Sequence, residues 1–101
     1  MQARTLSFFI NREMLDDVMT LIDTDVLPRY LDSPHFLGLI VVDAEDVRHE
    51  VLGMSVWDGD LEGSQEVVSE FRRRVADLAG TSPTSKTYDV LRLVVNRPGE
   101  T

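Results

Sequence analysis

The spacing of apolar residues along this chain changes several times, and each change marks an element. Positions 5–10 (Thr-Leu-Ser-Phe-Phe-Ile) form a short run of β-formers that stops at Asn11, which predicts a first strand. From Arg12 onward Met14, Leu15, Val18, Met19, Ile22, Val26 and Leu27 recur at three and four residues, with Glu13, Asp16, Asp17 and Asp23 between them. That is the period of an amphipathic helix, with Asn11 as its N-cap. Pro28 has no N–H for a helix interior and its ring crowds the preceding turn. The helix is therefore expected to kink or restart near Asp25 and to end near Tyr30, with Ser33-Pro34 as the turn that follows.

Two nearly continuous apolar runs come next, at 36–42 and 51–57, separated by the polar stretch 43–50, and they predict an antiparallel hairpin. Val67, Val68, Phe71, Val75 and Leu78 then fall on one face of a second helix that Gly80 ends. Glu66 and Glu70 precede Arg72, Arg73 and Arg74 in it, the order that favours the helix dipole. A loop with Pro83 leads to a last strand at 87–95, and 97–101 is expected to be a frayed tail after a single domain at 1–96.

The order βαββαβ predicts an α+β, ferredoxin-like fold: a four-stranded antiparallel sheet with two helices on one face. A wet opposite face would show clean alternation of apolar and polar residues. Instead Phe36, Gly38, Ile40 and Val42 are expected on one side of the second strand and Leu37, Leu39 and Val41 on the other. In the third strand Leu52, Met54 and Val56 oppose Gly53, Ser55 and Trp57. Both faces want cover, and one chain has helices for one of them. The expected solution is a homodimer closing into an α+β barrel around a two-fold axis.

Composition narrows the function classes. A net charge of −8 spread along 101 residues opposes binding to nucleic acid or an anionic membrane surface. The absence of cysteine removes disulfides, thiolate metal sites and cysteine nucleophiles. The first apolar run is too short for a signal-peptide core, and no run approaches a membrane span, so a cytoplasmic location is expected.

Several segments together resemble the antibiotic biosynthesis monooxygenase family of dimeric α+β barrels: Val26-Leu27-Pro28, Pro34-His35-Phe36-Leu37-Gly38, Val56-Trp57-Asp58 and Thr87-Tyr88-Asp89-Val90. The resemblance covers most of the chain. It implies the fold just described and, for part of the family, oxygenation of flat aromatic molecules without any cofactor. It also marks departures. The haem-degrading branch has a histidine where this chain has Val67, and the quinone-forming branch can have an asparagine where this chain has Gly53.

Candidate chemistry follows from the residues and from that resemblance. Trp57, the sole tryptophan, ends a strand whose same-side neighbours Gly53 and Ser55 are small enough to leave a cavity under the helices. The resemblance implies that Trp57 stacks on a flat substrate; the plainer reading is that it packs in the core. Tyr30 and His35 flank the turn before the second strand, and either can offer a hydrogen bond or take a proton from a phenolic ligand. Tyr88 and Arg92 share one side of the expected last strand, where Arg92 is placed to hold an anionic oxygen or to make an interface ion pair. Asp58, Asp60 and Glu62 alternate across a turn but lack the other ligands of a calcium loop, so no metal is expected. Two function classes fit: a cofactor-free monooxygenase acting on a small hydrophobic aromatic ligand, and a non-catalytic binding or dimerisation module of the same fold.

Overall fold

The computed structural model describes residues 1–45, 49–59 and 61–96. Its strands are β1 (Gln2–Ile10), β2 (Phe36–Glu45), β3 (His49–Trp57) and β4 (Thr84–Asp89). They form one antiparallel sheet in the order β2-β3-β1-β4. The expected tail at 97–101 and the acidic position Asp60 lie outside the described residues.

The first helical segment is built in pieces, as Pro28 requires. A 3-10 turn (Arg12–Met14) leads into α1 (Leu15–Leu21), a π-helical turn (Ile22–Val26) and α2 (Leu27–Leu31). Asn11 is extended at its start but makes no side-chain capping bond. The π turn closes with the Leu27 N–H on the Ile22 carbonyl, a bond one residue wider than an α-helical one. It has a packing consequence. Residues four apart on an α-helix drift by about 40° per step, yet Val18, Ile22, Val26 and Tyr30 are all buried. The wider turn keeps Val26 and Tyr30 facing the sheet.

The second long helix, α3 (Glu62–Ala79), ends at Gly80, whose φ of 69° is the left-handed conformation that glycine adopts without steric cost. Its buried residues Val67, Val68, Phe71 and Val75 meet Phe8, Ile10, Val51 and Trp57 from the sheet, together with the face of the first helical segment. Burial of each aliphatic side chain here stabilises the fold by about 1.5–3 kcal/mol. Arg29 reaches Glu70 at 2.6 Å, and Arg74 bonds both Glu70, at 3.0 Å, and Asp25. Arg72 donates to the Pro83 carbonyl at 3.1 Å. Arg72 and Arg74 thus join elements together, and neither lies in the last turn of α3.

Three expectations need correction. A β-bulge between Phe36 and Gly38 adds a residue to β2, so Phe36 joins Leu39 and Val41 on the helix-covered side and leaves Ile40 and Val42 on the other. The first strand begins at Gln2 and therefore includes Arg4. The last strand is Thr84–Asp89, not 87–95: its ladder with β1 ends at Gln2↔Asp89, followed by one bond from Val90 N–H to the Met1 carbonyl. Beyond that point Leu91 to Val95 pair with no strand among the described residues, and Leu91 is 95% exposed.

Candidate active site

On the helix-covered side of the sheet the side chains change size abruptly. Phe8 and Val51 fill the middle, but one step along β3 is Gly53, where a Cβ would meet nothing within 4 Å. The result is a cavity between sheet and helices. Arg4, Leu6 and Phe8 of β1, Leu39 and Val41 of β2, and Val51, Gly53 and Ser55 of β3 form its floor. Ile22, Val26, Tyr30 and Phe71 close it from the helices. The cavity proper is small, about 40 Å³, within an envelope of about 450 Å³ that includes its open mouth. Its walls are largely aliphatic and aromatic, and its polar groups converge at one end.

That end is made by Arg4, Tyr30 and Ser55. Cross-strand pairing sets Arg4 directly opposite Ser55. Ser55 Oγ accepts the Trp57 indole N–H at 2.8 Å and is 3.4 Å from the Arg4 carbonyl oxygen, to which it donates. Burial pushes the Tyr30 phenol above its ordinary ionisation range, and the Arg4 charge and a hydrogen bond with Ser55 only partly oppose that. At neutral pH Tyr30 is therefore an O–H donor. Arg4 is only 9% exposed, and its Nε has no hydrogen-bond partner.

Of the residues singled out from the sequence, Gly53, Ser55 and Tyr30 meet at this cavity. Trp57 does not line it. Its ring is 1% exposed, edge-on to Tyr30 at 4.9 Å and tilted against Phe36 at 5.2 Å, so it stands behind Tyr30 and fixes that ring from the rear. His35 is exposed in the turn before β2, where its carbonyl accepts the Asp58 N–H at 2.7 Å. Tyr88 pairs with Ala3 and so projects on the opposite face of the sheet from Arg4. Arg92 is exposed beyond the end of β4.

Arg4 is the residue that sequence reasoning missed. Its signal was alternation: Arg4, Leu6, Phe8 and Ile10 occupy every second position of one strand, and a strand begun at position 5 hides the first of them. Among the described residues no group of three or more His, Cys, Asp or Glu gathers to hold a metal. Nor is any described helix long and apolar enough to cross a membrane.

This arrangement defines a ferredoxin-like α+β domain with an interior cavity against its sheet. Solved proteins of the same fold fall into that class. A monooxygenase from the gene ActVA-Orf6 of Streptomyces coelicolor, solved in complex with Nanaomycin D, superposes with a TM-score of 0.73 at 13% identity, over 95% of this chain and 92% of that one. A mutant of SnoaB, a cofactor-independent oxygenase from Streptomyces nogalater, gives 0.67 at 8% identity, over 94% and 98% of the two chains. A dimeric ferredoxin-like protein from an uncultured marine organism gives 0.65 at 9% identity, over 94% and 98%. No protein-family model matches the sequence, and no curated protein matches it significantly. At such identities the shared property is the fold.

Proposed function

We propose that this protein is a cofactor-independent monooxygenase of a flat phenol- or hydroquinone-type molecule, which it binds in the cavity between sheet and helices. The observation that carries the reading is the cavity itself: apolar walls, with an arginine, a neutral tyrosine and a serine converging at one end. Two of the solved proteins that share the fold are oxygenases. At about 40 Å³ the cavity admits a flat ring system only when its aliphatic and aromatic walls move apart, which this reading requires.

The chemistry needs little from the protein beyond position and exclusion of water. An ionised phenol is electron-rich enough to reduce dioxygen directly. For a phenol with an open para position, one oxygen atom becomes the new quinone carbonyl and the other leaves as water, with the ring hydrogen and the hydroxyl proton. The substrate supplies all four electrons. The chain contributes donors that favour the ionised ring, an orientation, and a dry chamber that protects the intermediates. In this reading Tyr30 donates a hydrogen bond, Ser55 links it to the indole N–H of Trp57, and Trp57 positions Tyr30. His35, Tyr88 and Arg92 are assigned no contact with the ring by this reading.

The reading includes a homodimer. Ile40 is 59% exposed on the uncovered face beside Val42 and the partly buried Leu52 and Met54, and a second copy would cover them. One solved protein of the same fold is described as dimeric. The test is oxygen uptake with a panel of polycyclic phenols and hydroquinones, with labelled dioxygen traced into the product by mass spectrometry. One label in the quinone and one in water is expected. Saturable binding of the same panel without oxygen uptake would replace this reading with that of a non-catalytic ligand-binding module.

A further inference from the structure

A buried cation needs a partner, and the Nε of the one in this cavity has none among the described residues. Arg4 is more than nine-tenths buried, lines the cavity, and leaves its Nε unbonded. Among the described lining residues it is the one charged side chain, and no carboxylate stands with it. Its cross-strand neighbours Ser55 and Thr87 are neutral. Asp89, two places further along β4 on the same side, is exposed and takes a hydrogen bond from Gln2 at 3.3 Å. The helical segment over it offers Tyr30, which is uncharged at neutral pH. Holding an uncompensated guanidinium away from water is costly, and removal of such a charge usually stabilises a protein.

We propose that Arg4 is the specificity-determining residue of the cavity and that the ligand binds as an anion, its oxyanion held by the Arg4 guanidinium and the Tyr30 hydroxyl while its flat apolar body lies against the apolar walls. This rests on the cavity being the ligand site, as in the function proposed above, and it adds the residue that selects the ligand's charge. A guanidinium and a hydroxyl donor at one oxygen, away from water, favour the ionised form of an acidic aromatic over its neutral form. An ionised phenol and an aryl carboxylate present the same oxyanion to these groups.

The test uses 4-nitrophenol, which ionises near neutral pH and reports its ionisation in the visible, with 2-naphthoate as the carboxylate and nitrobenzene as the neutral counterpart. Binding of each is measured across pH for the wild-type protein and for Arg4→Met and Arg4→Lys. Wild-type protein is expected to hold nitrophenol ionised at a pH where the free phenol is protonated, and to bind either anion at least tenfold more tightly than nitrobenzene. Preference for the phenolate or for naphthoate identifies the source of the oxyanion, and either supports the proposal. Arg4→Met should lose that preference, bind nitrobenzene as before, and melt at a higher temperature because an unpaired buried charge has gone. Arg4→Lys should keep part of the preference, having the charge without the planar fork.

Equal binding of nitrobenzene and the anions by the wild-type protein would overturn the proposal. So would an Arg4→Met variant that keeps the preference, or one that melts at a lower temperature, which would make Arg4 structural. None of these measurements consumes oxygen. A protein that selects phenolates but never takes up oxygen would sink the oxygenase reading and leave this one standing; oxygen uptake without anion preference would do the reverse.

Discussion

The two faces of the sheet carry apolar residues in similar number, but they use them differently. Under the helices Phe8, Ile10, Val51 and Trp57 are almost wholly enclosed, and the same enclosure traps Arg4 and Tyr30 beside a cavity. On the far face Ile40 and Val42 are about half exposed, Phe9 is 46% exposed, and Tyr88 lies at the other end. One face has been closed by the chain's own helices and given a chemical end; the other is sheet surface with the composition of an interior. Hydrophobicity alone therefore does not distinguish a core from an uncovered face. What distinguishes them is whether the chain supplies a second layer.

Breaking the covered face should have the largest effect. Trp57→Ala removes a fully enclosed ring that packs on Tyr30 and Phe36, and is expected to destabilise the fold by about 3–5 kcal/mol in chemical denaturation. Ile40→Ala on the far face should cost far less within a subunit, so similar losses would erase the contrast. Paired Ile40→Asp and Val42→Asp substitutions should weaken self-association by about a hundredfold, read as a halved mass in sedimentation, with the far-UV spectrum unchanged. Gly53→Leu fills open space in the cavity and is expected to weaken ligand binding about tenfold or more while the melting temperature barely moves.

Acidification should have the smallest effect. The Arg29 hydrogen bond holds the Glu70 carboxyl below its usual range against opposition from desolvation, and the Arg74 and Arg29 charges add to the depression. A depressed carboxyl adds stability above its unfolded-state value and loses it as pH falls through its folded one. A modest fall in melting temperature below the ordinary glutamate range, absent in Glu70→Gln, is therefore expected; because the Glu70 side chain is 31% exposed, salt should reduce it.

The sequence carried the order of elements because each rests on periodicity or on a breaker: the three- and four-residue recurrence before Pro28, the paired apolar runs, and Gly80. The four-stranded antiparallel sheet and the helices on one face followed from that order. The cavity was legible at Gly53 and Ser55, whose small size beside Trp57 needs no coordinates to notice. What escaped depends on hydrogen bonding between distant segments. The bulge that turns Phe36 inward is set by pairing with β3. Leu91 to Val95 look more like a strand than Thr84–Asp89, yet the polar segment is the one with β1 to pair with, and partner availability outweighed propensity. Arg4 escaped because a charged residue near the start of a strand reads as its flank until the strand is known to begin at Gln2.

The edge-on contact between Trp57 and Tyr30 has an optical consequence. Trp57 is the sole tryptophan, and its indole is enclosed, so its emission should be shifted to the blue. The phenol ring lies 4.9 Å from the indole, well within range for excitation energy to pass from Tyr30 to Trp57. Tyr88, the other tyrosine, is exposed on the far side of the sheet. Any molecule that shifts Tyr30 or draws the Ser55 hydroxyl away from the indole N–H alters the colour or yield of that single emitter, so the chain carries its own luminescent gauge of what occupies the cavity.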